Sequence, residues 1–519
     1  MRVGFWDYLK KNRGALLGAF LFSCACFFVI FTKQAVMIDE EFHMTGAADP
    51  TLFLYGSRYT NYLLGRLFFN SRIIPFWTDF FALILWNVSA LIFGFIFFEE
   101  EHSLFTRFVS LAYFSTVPFC VGEMFAFSEI ILEIACAYVF TALAVLLTLR
   151  HDECRCYNFS DPDYFKWVLC KLGALVLMVF AIGSYQAFIC VYLTAVAAFS
   201  LRKALKGGKW FAPALESFAV VALAAFLYSR INHMIQTHIG STTYLSDNYV
   251  GWKSDGILKA GFMALANVVR VSFSIPVMGE RIYGGIPICV LTILFIVFAV
   301  REVIITKDIK RKAAVAFLSV ILIMAPFSLY IALGTYRTHG RVLQALSLVG
   351  MTEILFISKR ITGLRVRRVI AALFSVLLLL NLVNMNVIYG SAYKAYERDC
   401  NTADAMIEYI KGHTDPSDKA LVFVGALPEY EDIRPKNVTL GASFFSWDGG
   451  ANHRLRAFFE LRGLKCLEPG VSEMEAAVEL VKGLKPYGTP GESILINEDL
   501  IVIYLSEPKE EWFATNLVR

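Results

Sequence analysis

Charge is scarce in this chain of 519 residues: Asp, Glu, Lys and Arg make up 18% of it, against 57% hydrophobic residues and a mean hydropathy of +0.57. A soluble domain must leave a polar surface in water, so this composition excludes an ordinary water-soluble protein and leaves a bilayer as the solvent. Several motifs are missing as well. The C-x-C at Cys154 and Cys156 has no second pair at zinc-ligand spacing, and most of the eleven cysteines lie in apolar runs, where a thiol is a small buried hydrophobe. No Gly-rich phosphate loop is present, which counts against a nucleotide-sugar donor. No internal repeat is visible, which counts against a transporter built from paired halves. A net charge of +4 gives no reason to expect a nucleic-acid partner. No small-residue cleavage site follows the first apolar run, so Ala15 to Thr32 is expected to stay as a helix rather than leave as a signal peptide.

What the chain does have is apolar runs. They begin near Ala15, Pro75, Ser103, Phe127, Trp167, Gln186, Ala212, Ile286, Ala313, Val342 and Val369, which predicts about eleven transmembrane helices. The runs at Trp167 and Gln186 are short and adjacent. With the N-terminus inside, nearly every short basic loop falls on the inner side: Lys10 to Arg13, Arg202 to Lys209, Lys307 to Lys312 and Lys359 to Arg368. Leu52 to Phe69 and Gly256 to Ile275 are apolar but carry Arg58, Arg66, Lys259 and Arg270, and are expected to lie in the outer interface. After Gly390 the composition turns polar. The expectation is an all-α polytopic membrane domain, residues 1–390, and a small C-terminal extracytoplasmic α/β domain, residues 391–519. In the tail, Thr402 to Lys411 and Ser472 to Leu484 have helical spacing, Ala420 to Ala426 reads as a strand, and Ser493 to Leu505 reads as a hairpin.

Candidate chemistry gathers in the outer loops. Directly after the first span stand Ile38-Asp39-Glu40-Glu41-Phe42-His43. A carboxylate partly shielded from water has its pKa raised and can act as a general base. Three such groups also suit a divalent cation, although the chemistry does not require one, and a solvated acidic loop has the same composition. Glu123 lies at the next outer turn, and Glu129 and Glu133 sit one helical turn apart beyond it, where a polar cavity or a pairing with Arg58 or Arg66 would hold them. Tyr185 and Gln186 stand between two apolar runs, where they either hydrogen-bond a sugar or mark the interface. The last outer turn, Gly334 to Arg341, places Arg337, His339 and Arg341 where basic residues are rare. An arginine fork there fits phosphate oxygens, and equally a lipid headgroup. In the tail, the Gly-rich loop from Ser443 to Arg454 concentrates Trp447, Asp448 and Arg454, a composition suited to a carbohydrate or to packing against the membrane part.

At these residues the sequence resembles the GtrII-type glucosyltransferase family. The resemblance rests on Ile38-Asp39-Glu40-Glu41, Gly65-Arg66, Ser184-Tyr185-Gln186-Ala187-Phe188, Gly340-Arg341 and Ser446-Trp447-Asp448-Gly449-Gly450, in that order along most of the chain. It implies a GT-C-like architecture in the cytoplasmic membrane of a bacterium. It also implies a polyprenyl-phosphate sugar donor, commonly glucose, and a surface glycan acceptor such as O-antigen. A flippase and a polyprenyl-phosphate sugar synthase would then supply the donor. Transfer from such a donor needs a base for the acceptor hydroxyl and cations for the departing phosphate. Asp39 is the expected base, with Glu40 or Glu123 in support. Arg66, Arg337 and Arg341 are the expected phosphate ligands, and Tyr185, Gln186, Trp447, Asp448 and Arg454 the expected sugar or acceptor contacts; no metal ligand is assigned. The rival readings are a transporter or flippase of lipid-linked sugars, a polysaccharide polymerase or ligase, and a non-catalytic membrane anchor whose tail binds carbohydrate.

Overall fold

The computed structural model describes residues 4–45, 50–68, 72–150, 162–240, 251–254, 256–277, 281–334, 339–436, 438 and 440–517. The expected Arg337, and the C-x-C at Cys154 and Cys156, lie outside these residues. Among the described residues, nine helices are long and apolar enough to cross a membrane. The other two expected runs are also helical. The first is α1 (Phe5–Cys26), whose opening turns carry Lys10, Lys11 and Arg13, followed by the short α2 (Phe28–Thr32). The other helix, Ala345–Arg360, has 16 residues, fewer than the roughly 20 that a span needs, and is almost wholly buried by its neighbours.

Chain order after the first helices explains how the site is placed. After α2 come α3 (Glu40–Thr45), α4 (Leu52–Tyr55) and α5 (Tyr59–Leu67). The expected single interfacial helix from Leu52 is thus two, broken at Gly56-Ser57, where Ser57 takes a φ of 61° and the chain cannot continue helical. Then follow α6 (Trp77–Phe97), α7 (Leu104–Phe114), α8 (Ile131–Arg150), α9 (Pro162–Ser184), α10 (Phe188–Leu205) and α11 (Phe211–Ile239). The two adjacent short runs are therefore full helices, α9 and α10. A one-turn helix α12 (Gly251–Ser254) leads into α13 (Ile257–Phe273), which buries Ala260, Met263, Val268 and Val271 and leaves Ile257 and Leu258 outward, the split expected of an interfacial helix. The membrane part closes with α14 (Gly285–Ile305), α15 (Ile309–Met324), α16 (Ser328–Leu333), α17 (Ala345–Arg360) and α18 (Leu364–His413). Its aromatic centre is continuous: Trp86 of α6 meets Tyr138 of α8 at 4.2 Å, Phe27 just past α1 meets Phe125 at 4.3 Å, and the Tyr389 hydroxyl of α18 donates to the Gly122 carbonyl at 2.9 Å.

α18 runs through position 390 without a break, so the polar tail begins as a continuation of a membrane helix. The tail sheet has the order β1-β3-β2, with β1 (Ala420–Val424) parallel to β3 (Leu500–Tyr504) and β2 (Ile494–Ile496) antiparallel to it. The expected strand and hairpin are these three elements. One face of the sheet packs on α18 and on α19 (Asn452–Leu461) through Phe458 and Phe459. The other packs on α20 (Val471–Leu480) and on Trp512 of α21 (Glu510–Asn516). Cys400 and Cys466 are both free thiols.

Trp512 is 1% exposed and its indole N–H donates to the Phe423 carbonyl at 3.1 Å. Trp512→Ala is expected to destabilise the tail by about 3–5 kcal/mol, chiefly through the cavity left in the sheet's packing, because the Phe423 carbonyl keeps the Asn452 amide as a donor. Limited proteolysis across a urea series measures this, and cleavage of the tail should begin at lower urea than in the wild type.

Candidate active site

Asp39 stands just before α3, which Glu40 and Glu41 open; Asp39 and Glu41 share one partner, and Glu40 takes others. Asp39 takes a φ of 81°, a left-handed conformation that an Asp adopts at modest cost and most residues avoid. Its carboxylate is 2.7 Å from the guanidinium of Arg454 on α19, and that of Glu41 is 2.9 Å from the same nitrogen. Asp448, itself at a φ of 50°, completes the set at 3.1 Å. One arginine thus gathers three carboxylates, and a further stack of Phe42 on His453 closes the joint at 5.8 Å. Glu41 is fully buried, and burial pushes its carboxyl up to about 7 even though Arg454 pulls it down. Burial would weaken the proton on Arg454, but Asp39 and Glu41 outweigh it and hold that proton more firmly. Of the expected sugar contacts, Asp448 and Arg454 are therefore engaged in joining the tail to the membrane part. Trp447 sits half-buried at the edge of the tail core.

Glu40 faces the opposite way. It accepts from the Met37 amide at 2.9 Å and the Ser128 amide at 2.8 Å, and the Ser128 hydroxyl donates in turn to Asp79 at 2.9 Å. Burial raises the Glu40 pKa against the pull of those two amides. Glu129 is buried beside this group with its Oε2 lacking a hydrogen-bond partner among the described residues, and burial, then the charges of Glu40 and Asp39, raise it too. Arg58 is the cation whose field reaches Glu129. A cavity of about 210 Å³ opens here, walled by Lys33, Met37, Glu40, Asp79, Ser128 and Tyr389 among others. Asp79, 5% exposed, was not singled out in the sequence, although a carboxylate one turn into an apolar run is the signal that finds it.

Glu123 belongs to a neighbouring turn. Its carboxylate accepts from the Gly340 amide at 2.8 Å, and a Cβ on Gly340 would strike the Phe119 carbonyl and this carboxylate, so the approach requires glycine. Arg341, next in sequence and half-buried, stacks over Phe127 at 4.5 Å. A small cavity of about 70 Å³ brings Glu123 together with His339 and Arg270, a residue the sequence placed only in an interfacial helix. The remaining expected residues have protein neighbours of their own. Tyr185 lies under Arg58 at 5.0 Å; Gln186 donates to the Tyr228 hydroxyl at 2.7 Å, which donates to the Ser57 carbonyl at 3.0 Å. Arg66 is exposed over Tyr62 at 5.2 Å, and among the described residues no ion pair joins it to Glu129 or Glu133. Among the described residues no group of three or more His, Cys, Asp or Glu is arranged to hold a metal ion, because Asp39 and Glu41 turn to Arg454 and Glu40 turns away.

The raised carboxyls fix the sign of a pH dependence. Glu40, Glu41 and Glu129 have folded pKa values above the ordinary 4.5, so between that value and about 7 the folded chain holds protons that the unfolded chain has released. Stability should therefore fall as the pH rises from about 5.5 to about 8. The thermal midpoint of the detergent-solubilised protein is expected to be lower at the higher pH, and Glu41→Gln should shrink that difference. A midpoint that rises across this window contradicts the assignment.

Neither a curated protein nor a solved structure matches the chain. A family model does: the one described as Glucosyl transferase GtrII matches residues 27–358, more than half of the sequence and the stretch that holds Asp39, Glu40, Asp79, Glu123, Glu129 and Arg341. The chain belongs to the GtrII glucosyltransferase family.

Proposed function

We propose that this glucosyltransferase takes glucose from a polyprenyl-phosphate donor and passes it to a surface glycan on the outer face of the cytoplasmic membrane, with Asp39 as the general base. The observation that carries the reading is the state of Asp39: backbone at positive φ, side chain about half exposed at 47%, fixed at one oxygen by Arg454 and bordered by buried carboxylates. Strained backbone at a charged, accessible residue is a feature of catalytic positions.

In the proposed step the acceptor hydroxyl gives its proton to Asp39 as its oxygen bonds to the anomeric carbon of the donor. The bond from that carbon to the phosphate oxygen breaks with its electron pair, and polyprenyl phosphate leaves. A single displacement inverts the anomeric centre and needs no covalent intermediate. Arg341, beside the Glu123 turn, is the proposed ligand of the leaving phosphate, with Arg337 and Arg66 in the same role. Glu40 holds the α3 turn in place through the Met37 and Ser128 amides and supports the base. A donor of this kind must be made on the inner side and turned over, which is why a polyprenyl-phosphate sugar synthase and a flippase belong to the proposal. Residues 391–519 form the outer domain of the same proposal, supported by the basic loops that the sequence gathers at the opposite helix ends.

Asp39→Asn keeps shape and removes basicity, so the purified variant should lose about 10²- to 10⁴-fold in transfer rate while folding and donor binding persist. Transfer near the wild-type rate would move the base to Glu40 or Glu123. Arg341→Lys keeps the charge but not the fork, and a fall of about tenfold or more in transfer with unchanged insertion is expected; undiminished transfer makes Arg341 a lipid contact. A reporter active only outside the cytoplasm, fused after Arg519, should be active. Activity of a cytoplasmic reporter at that position would reverse the map.

A further inference from the structure

At the helix ends opposite the carboxylates lies a second cavity, of about 260 Å³, that the transfer reaction does not use. α6 carries Asp79 near its start and reaches this cavity at Phe97; α10, α14 and α17 reach it with their last turns. Four cations line it, Arg202, Lys206, Lys359 and Arg360, against two carboxylates, Glu99 and Glu302. Glu99 is shared by three of the cations: Lys206 at 2.9 Å, Arg202 at 3.9 Å and Lys359 in closer contact. Arg360 pairs with Glu302 at 3.4 Å. Glu101, mostly exposed, reaches Lys359 at 3.8 Å from outside, and Arg301 and Arg311 add two more cations at the rim through the Arg360 and Leu205 carbonyls. The local charge is positive on any count of these groups. Between the cations the wall is apolar, formed by Leu201, Leu322, Leu355 and Phe356.

We propose that this cavity binds the headgroup of an anionic phospholipid from the adjoining leaflet. A free inorganic anion would use the cations and leave the apolar wall against water. An amphiphile uses both, with its phosphate among the cations and its glycerol and first methylenes along the leucines. The volume is just below the roughly 300–1,000 Å³ that takes a whole drug-sized ligand, so a headgroup enters while the acyl chains stay in the bilayer. The adjoining surface of α14 is apolar and open, with Val300 and Ile304 more than half exposed. Basic pockets between helix ends are a known means of holding acidic headgroups. The inference is independent of the donor and of Asp39.

The test uses the full chain in detergent, stripped of lipid, with thermal midpoints read against added phosphatidylglycerol, phosphatidylcholine or inorganic phosphate at equal phosphate concentration. Phosphatidylglycerol should raise the midpoint and the other two should not. Lys206→Gln, which leaves Glu99 its other two cations, should raise the phosphatidylglycerol concentration for half the effect about fivefold, while Lys206→Arg restores it and Lys310→Gln, outside the cavity, leaves it unchanged. An equal shift with phosphatidylcholine, a full shift with inorganic phosphate, or indifference of the response to Lys206→Gln each overturns the proposal. Should Lys206→Gln fail to fold, the phosphatidylglycerol series on wild type against Lys310→Gln still decides between a built site and general surface charge.

Discussion

The guanidinium of Arg454 fixes the geometry of the whole region around the acidic turn. It joins residues 413 positions apart in the sequence, and it does so where the chain presents three carboxylates in a row, Asp39, Glu40 and Glu41. Without a cation, those acids at a membrane surface would repel one another and draw water. With it, Asp39 and Glu41, two residues apart, both point to the tail. Glu40 between them must then point the other way, into the protein. That single constraint explains why one member of a uniform acidic triplet is buried against Ser128 and Asp79 while its neighbour stays half open to solvent. Removing one partner of such a buried group strands the others, which costs more than the pair itself contributes.

The two ends of the bundle carry opposite electrostatics. At one end, carboxylates outnumber cations and burial keeps several of them reluctant to ionise. At the other, cations outnumber carboxylates, and Lys359 and Lys206 overcome the effect of burial to hold Glu99 down at about 2. The same helices connect these environments, so the sorting of charge is a property of the fold as well as of its loops. A hydroxyl to be deprotonated suits the first end; an anionic amphiphile suits the second.

Apolar periodicity made the membrane helices legible, because a span must be apolar along its whole length whatever its neighbours are. The tail strands were legible for a related reason: Ala420 to Val424 is buried on both faces and reads as a continuous apolar run. The acidic turn after the first span announced itself by composition. Partnership did not. Nothing local to Arg454 says that it reaches Asp39, since that contact is set by how α18 and the tail sheet fold back. Asp79 was hidden inside an apolar run, and Arg270 inside an amphipathic helix whose charge had an adequate explanation at the interface. The neighbour of Gln186 was equally hidden: an amide between two apolar runs does not announce that it donates to Tyr228, 42 residues on.

α18 spans 50 residues as one unbroken helix, a rod of about 75 Å, more than twice the roughly 30 Å thickness of the hydrocarbon layer. A rod anchored in the bilayer at one end and in a folded sheet at the other transmits tilt as leverage. Lipid of a different thickness changes the angle of an embedded helix by small amounts. Here that angle would be magnified at the far end, where α19 carries Arg454 over Asp39. The composition of the bilayer thereby becomes a mechanical input to the mouth of the site, delivered with no hinge in between.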